Sequence, residues 1–435
     1  MVKKLGVFRQ VFFVIFLNAC LLGLLACQAD SGKALNPTDP NTVHLTLWHG
    51  VNPPPNRDVL QKLVDRFNQA HPQIQVESLY VGQGDQQIPK ILSAVVGNAP
   101  PNMLWYAPMI TGQLVELDAI RPLEDWLDRS PVKAEIDPAL QEAIALEGHT
   151  WAIPFDVNNV GIFYRPSLFQ AAGVTEIPKT WDDLRRVAQK LTIPEKNQHG
   201  IVLPLGKGEW TVFTWLPFMW SGGGELVAQD LQNASTQVQL DNSGAIAALQ
   251  LWQDLISEGS AVLSQPERGY ELDGFLSGKV AMQITGPWTL GQLQDTGIDY
   301  AVMPIPIGMK PATSIGGENL FIFKTTIAEE QASQVFAEYV LSESFQTEWA
   351  LGTGYLPVNL KSRQSPAYQE FIAKQPVLNV FLQQAKYGRS RPIFPGYNRV
   401  SENLGRAIES VLLQKSTPEA ALNTAQQRLD LALGR

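Results

Sequence analysis

The chain has 435 residues, more than one hydrophobic core organises, so two domains are expected. With 45% hydrophobic and 17% charged residues it is neither a disordered chain nor a membrane bundle. A formal net charge of −9 argues against a nucleic-acid partner, and eleven tryptophans need a use.

The first segment is not part of the fold. Lys3, Lys4 and Arg9 precede the apolar run VFFVIFLNACLLGLLA (11–26), which is marginal in length for a membrane span and reads as a secretory signal. Its end, LLAC (Leu24 to Cys27), resembles the lipobox of bacterial lipoproteins, which implies acylation of Cys27. A plain signal peptide with an accidental cysteine is the alternative. The only other cysteine, Cys20, would leave with residues 1–26, so the exported domain would carry no disulfide. Loss of Lys3, Lys4 and Arg9 takes the charge from −9 to −12. The polar stretch 27–42 reads as a flexible tether.

Folding is expected to start near Val43. TVHLTLWHG alternates Val43, Leu45 and Leu47 against His44, Thr46 and Trp48, which predicts a strand. NRDVLQKLVDRFNQAHP then places Leu60, Leu63, Val64 and Phe67 at helical spacing before His71-Pro72, and IQVESLYV predicts a second strand. Strand, helix and strand in so short a stretch make a βαβ unit and a parallel α/β sheet.

The same grammar recurs in GIFYRPSLFQAAGV and in TWDDLRRVAQKL. There Thr180 and Asp183 occupy capping-box positions, and Leu184, Val187, Ala188 and Leu191 form one apolar face. GAIAALQLWQDLIS and FAEYVLSESFQTEWAL predict further helices. The last one is capped by Thr417, with Pro418 in its first turn.

Catalytic and cofactor signatures are missing. The five histidines form no HExxH pair, and there is no CxxC and no GxSxG. GIVLPLGKG (200–208) has the wrong glycine spacing for a phosphate loop, and Gly208 stands where magnesium needs a hydroxyl. GQGDQQ (82–87) has Gln87 in place of the third glycine of a dinucleotide loop. No cofactor or metal is expected. The pattern points to binding rather than catalysis, although chance carboxylate pairs leave a tethered glycosidase open.

From about Val43 onward the chain resembles the extracytoplasmic solute-binding proteins of ABC importers, in the branch that includes maltose- and glycerol-3-phosphate-binding proteins. The resemblance rests on an ordered series of local matches. They include LTLWHG, GHTWAIPFDVNNVGIFYRPSLFQAAGV, IPKTWDDL, FLSGKVAMQITGPW, ATSIGGENLFIF, ALGTGYLPVN and RPIFPGYNRVSENL. It implies an α/β, two-lobed periplasmic-binding-protein fold with a ligand cleft between the lobes. The N-lobe would be 43–154 with 306–340, and the C-lobe 155–305 with 341–435. It also implies a sugar or polyol ligand, permease subunits as partners, a monomer, and no catalysis. Anchoring by Cys27 would hold the protein at the outer face of the cell membrane, on the periplasmic side.

A sugar has apolar C–H faces and hydroxyls that both donate and accept, so its site needs aromatic rings beside short polar side chains at strand ends. Trp48 and His49 end the first strand, and Asp85 matches the family's hydroxyl-binding acid, against the bland reading of a solvated loop acid. Tyr106 is favoured over Trp105 for the cleft. Asp156 and Asn158 fall at the first lobe crossing, where Asn158 could equally be a hinge hydrogen bond. Trp210, Trp215 and Trp220 cannot share one helical face. Trp215 is therefore expected in the core, and Trp210 and Trp220 at the cleft rim.

Gly317 and Glu318 lie where the family lets backbone approach ligand. Tyr355 matches a recurrent cleft tyrosine, and Tyr397 and Arg399 precede a helix. In ITGPWTL, Pro287 ends a strand, Gly286 lets the chain turn, and Trp288 emerges to stack on a sugar. A buried structural Trp288 is the alternative.

Glycerol-phosphate binders place an arginine at the start of the helix after the Pro-rich loop, to pair with phosphate. Here Ser401 takes that place and Arg399 lies two residues away. RPIFPGYNRVS looks more like the sugar-binding members. A neutral sugar or glycosyl-polyol is therefore expected, with a phosphorylated polyol as the alternative.

Overall fold

The computed structural model describes residues 42–229, 236–293 and 296–433. The signal segment, Cys27 and all of the tether before Thr42 lie outside the described residues. Among the described residues, no helix is long and apolar enough to cross a membrane.

The first sheet has the order Ile74–Tyr80, Val43–His49, Met103–Tyr106, Asn319–Ile322, Ile153–Pro154. Its first three strands run parallel, and Asn319–Ile322 is antiparallel to both neighbours. The alternation in Val43–His49 buries Leu45, Leu47 and His49. Helix Pro54–Ala70 lays Leu60, Leu63, Val64 and Phe67 on the same core, as the helical spacing predicts.

The second sheet has the order Ala261–Leu263, His199–Leu203, Val280–Thr285, Gly161–Tyr164, Ala301–Met303. The capping box before helix Trp181–Leu191 forms in both directions: Asp183 N–H donates to Thr180 Oγ1 at 3.2 Å, and Thr180 N–H donates to Asp183 Oδ2 at 3.2 Å. Helix Glu209–Ser221 has no polar face. It is buried from Thr211 to Ser221 because helices Ser243–Ser257 and Tyr397–Leu412 and strand Thr313–Gly316 all pack on it. This is why periodicity does not separate Trp220, expected at the cleft rim, from the core residue Trp215.

A small third sheet, Gly388–Ser390, Thr313–Gly316, Asn158–Asn159, sits where the chain passes between the two main sheets. The first crossing falls at IPFDVN: the chain leaves the first sheet at Pro154 and joins the second at Gly161. The other boundaries differ from the expected ones. Ile305 and Ala312 belong to the second core. Leu320, Phe345, Trp349, Tyr355 and Val358 belong to the first core. The return therefore lies near 313–319 rather than 306, and helix Glu343–Thr353 packs on the first core rather than the second. The apolar string FAEYVLSESFQTEWAL concealed this, because Ser342 ends one helix and caps the next, its Oγ accepting from Phe345 N–H at 3.3 Å.

Candidate functional site

A cleft of about 790 Å³ opens between the two main cores. Gln87, Trp105, Tyr106, Glu318 and Tyr355 line it from the first core's side. Trp210, Phe213, Trp288, Arg391 and Ser401 line it from the second.

Trp288 stands in the turn Pro287–Thr289 that ends strand Val280–Thr285, and its ring is half-buried against both cores. Its carbonyl accepts from Asn56 Nδ2 at 3.2 Å, which ties the turn to helix Pro54–Ala70. The ring lies 5.9 Å from Trp210 at 75° and 6.2 Å from Tyr355 at 35°. Tyr355 in turn stacks on Trp349 at 5.6 Å. Gly286 has ordinary extended backbone, φ −125°, so it is not there to turn the chain. Its role is space: a Cβ would lie 2.0 Å from the Trp288 ring.

The cleft floor is built from Asp156 to Asn158 and Gly316 to Glu318. Gly317 has φ +122°, and a Cβ there would meet the Asp156 carbonyl at 2.2 Å, so glycine is required on both counts. Asp156 is buried beneath the floor and is absent from the cleft lining. Its Oδ1 accepts from Glu318 N–H at 3.0 Å, and its Oδ2 accepts from Trp349 Nε1 at 3.2 Å and Trp105 Nε1 at 3.4 Å. Its carboxyl also faces that of Glu318 within hydrogen-bond reach. Burial pushes Asp156 up to about 6. Glu318 goes well above the usual carboxylate range, through burial first and the Asp156 charge second.

The deepest cation in the lining, Arg391, is already matched. Its Nη1 donates to Glu209 Oε1 at 2.6 Å, and its guanidinium lies 4.3 Å over the Phe213 ring. Glu209 also accepts from Tyr397 Oη at 3.2 Å and from Ser401 Oγ. Several buried polar atoms of lining residues have no hydrogen-bond partner among the described residues: Gln87 Oε1, Asn158 Oδ1, Glu318 Oε2, Trp210 Nε1 and Arg391 Nε.

The cleft thus brings together Tyr106, Asn158, Trp210, Trp288, Gly317, Glu318 and Tyr355. The remaining candidates, Asp85 apart, are absent from the cleft lining. Trp48 packs against the small core around Leu104 and Ile110. His49 is buried behind its strand, Nδ1 accepting from Val51 N–H at 3.3 Å; burial, then the nearby Arg57, lowers its pKa to about 4. Trp220 is in the second core, with the Arg389 guanidinium 5.5 Å over its ring, and Trp215 is fully buried beside it. Tyr397 is buried, is absent from the cleft lining, and donates from Oη to the lining residue Glu209 at 3.2 Å. Arg399 is exposed and donates to the Ala432 carbonyl at 2.6 Å. Asp85 falls in the turn Gly84–Gln86, and its side chain lies outside what is described. Trp105 lines the cleft edge as well as the core.

The sequence alone does not mark Gln87, Arg391 or Ser401 as cleft residues. Arg391 stands in the same Pro-rich segment as Arg399, and no periodicity separates the two. Ser401 is legible in the sequence only as the residue in the phosphate-arginine position.

The model of the family described as bacterial extracellular solute-binding protein matches residues 62–375, most of the chain. The chain belongs to this family. Its members bind solutes rather than convert them, which removes the glycosidase alternative. The protein is 23% identical to the maltotriose-binding protein of Pyrococcus abyssi, over 85% of this chain and 77% of that one. It is 23% identical to the sn-glycerol-3-phosphate-binding periplasmic protein UgpB of Salmonella paratyphi A, over 97% of this chain and 98% of that one. Its fold matches an ABC transporter solute-binding protein from Thermotoga lettingae bound with α-D-tagatose, with a TM-score of 0.80, 23% identity, and coverage of 89% of this chain and 99% of that one. The α/β, two-lobed architecture with a cleft between the lobes is therefore that of the periplasmic binding proteins.

Proposed function

We propose that this protein captures a neutral sugar, a mono- or oligosaccharide or a glycosyl-polyol, outside the cytoplasm and delivers it to the transmembrane permease of an ABC importer. One observation carries the reading: aromatic faces and unpartnered buried polar atoms of both kinds, donor and acceptor, converge on one cleft. Rings of Trp210, Trp288 and Tyr355 suit sugar C–H faces, and Gln87, Asn158, Glu318, Trp210 and Arg391 suit hydroxyls. The maltotriose-binding and tagatose-bound relatives support the same ligand class.

A phosphorylated polyol fits less well. Arg399 is engaged with the Ala432 carbonyl, Ser401 is uncharged, and Arg391 is neutralised by Glu209. Neither arginine is thereby free for a phosphate at that end of the cleft, which leaves only the exposed Lys207 among the described lining residues to meet one.

Capture works by hinge closure about the crossings, with contacts to both lobes favouring the closed state that the permease recognises. The protein acts as a monomer tethered by lipid on Cys27. Asp85 remains part of this proposal as a hydroxyl-binding acid, in the turn whose Gly84 and Gln86 line the cleft.

The test is a thermal-shift panel of maltotriose, α-D-tagatose, glucosylglycerol and glycerol-3-phosphate. A ligand at a hundredfold excess over Kd adds roughly 2.7 kcal/mol. A shift with a neutral sugar is expected; a shift with glycerol-3-phosphate alone, or none at all, overturns the ligand class. For the tether, Cys27→Ser should release the protein from membranes, and a variant that stays bound refutes the lipid anchor.

A further inference from the structure

Asp156 is buried beneath the cleft floor and Glu318 lines the cleft above it, tied to it by Glu318 N–H donating to Asp156 Oδ1 at 3.0 Å, with the two carboxyls facing each other. Their surroundings are unequal. Asp156 receives three N–H donors, from Glu318, Trp105 and Trp349, which suits an anion. Glu318 receives no donor on its buried Oε2 among the described residues, and the residue lines the cleft. The other titratable groups facing the pair do not change the balance. Tyr355 is neutral, its own hydroxyl held well above the ordinary phenol range by burial and then by these carboxyls. Arg391 favours a Glu318 anion, but it is shared with Glu209. Two adjacent buried carboxylates with one shared cation are costly, and one proton between them removes the cost.

We infer that Glu318 works in the cleft as a neutral acid, its proton held on Asp156 and its second oxygen turned to a hydroxyl of the solute, and that this shared proton makes the site selective for uncharged polyols. The inference rests on the sugar reading and names the residue that enforces it. Glu318 O–H donates to Asp156, and Oε2 accepts from the ligand. The pair keeps one negative charge at the floor, which repels phosphate or carboxylate groups on a ligand. Glutamine is the isostere of this state: its amide N–H donates to Asp156 and its oxygen accepts from the solute.

Two measurements decide it. The first needs no ligand. The infrared spectrum of the unliganded protein near neutral pH should show a protonated-carboxyl C=O band that Glu318→Gln removes. In parallel, the folded protein keeps a proton that the unfolded chain has lost. The melting temperature of the wild type should therefore fall relative to Glu318→Gln as pH rises from about 5 to about 8. Absence of the band together with parallel melting profiles overturns the shared proton.

The second measurement uses maltotriose and α-D-tagatose as probes. Glu318→Ala should weaken a bound probe more than tenfold, and Glu318→Gln should recover most of that loss. If glutamine loses as much as alanine, an ionised Glu318 is the acceptor and the inference fails. If neither probe binds the wild type or shifts its melting, the ligand half falls with the proposed function, and the infrared arm still decides whether Glu318 holds the proton.

Discussion

Trp288 and Tyr355 meet across the cleft with ring centroids 6.2 Å apart at 35°. Trp288 comes from the end of a second-sheet strand, and Tyr355 belongs to the first core. Their approach gives the cleft two aromatic walls from different parts of the chain.

Replacing Trp288 by alanine should weaken sugar binding by about 2 kcal/mol, roughly thirtyfold, as for an aromatic anchor at the centre of an interface. The unliganded melting temperature should move little, because the ring is only half-buried. Gly286→Ala should reproduce the binding loss without removing the ring, since its Cβ would displace the indole from 2.0 Å. Calorimetric titration with a shift-positive sugar checks both. A large loss of unliganded stability in Trp288→Ala would make the ring a core residue.

Trp210 and Trp220 should behave oppositely. Trp220 is 2% exposed in the second core, and Trp220→Ala should cost about 3–5 kcal/mol in chemical denaturation. Trp210 is half-buried, lines the cleft and has an Nε1 without a partner among the described residues, so Trp210→Phe should lower affinity while leaving the denaturation midpoint nearly unchanged.

Closure can be tested at Gly112. It sits on helix Thr111–Glu116, beside the first sheet, and a Cβ would lie 2.5 Å from the Pro395 backbone nitrogen on the opposite side. One turn away, Asn398 Nδ2 donates to Gln113 Oε1 at 2.7 Å. Gly112→Ala should prop the cleft open and enlarge the radius of gyration in small-angle scattering. Gln113→Ala removes one hydrogen bond of about 1 kcal/mol and should shift the open–closed balance roughly fivefold. Unchanged scattering in Gly112→Ala would mean the closed contact is dispensable.

Stability should respond to pH with two opposed slopes. His49 has its folded pKa lowered to about 4, so below the ordinary value near 6.5 only the unfolded chain takes up the proton. Its contribution is complete above about 6.5 and is lost as pH falls toward about 4, at about 1.4 kcal/mol per pH unit at most. The Asp156–Glu318 pair is raised, so its contribution is present at low pH and is lost as pH climbs above the ordinary carboxyl range. His49→Gln should flatten the acid limb only. Denaturant midpoints across the pH range check this; an acid limb unchanged in His49→Gln would show that another group governs it.

The sequence by itself determined the local elements and the kind of fold. Period-two alternation marks Leu45 and Leu47. Helical spacing marks Leu60 to Phe67. The Thr180–Asp183 box is set by residues three apart, and each of these signals is short-range. It also marked ITGPWTL as a strand end that presents a ring.

Only the tertiary structure decided which polar and aromatic residues share the cleft. Trp220 and Trp210 lie on one apolar helix and part company because Trp220 is in its buried span while Trp210 stands in its first turn, at the cleft. Arg391 and Arg399 sit eight residues apart, but Arg391 is in the loop while Tyr397 and Arg399, expected before the helix, fall in its first turn, and the ion pair with Glu209 brings Arg391 to the cleft. Asp156 looked like a ligand acid because it sits at a crossing. It became the buried partner of Glu318 because Trp105, Trp349 and the Glu318 backbone, distant in sequence, bring their N–H groups to it. The cleft is a long-range object, and its members are set by burial and by which donors find which acceptors, neither of which a periodicity records.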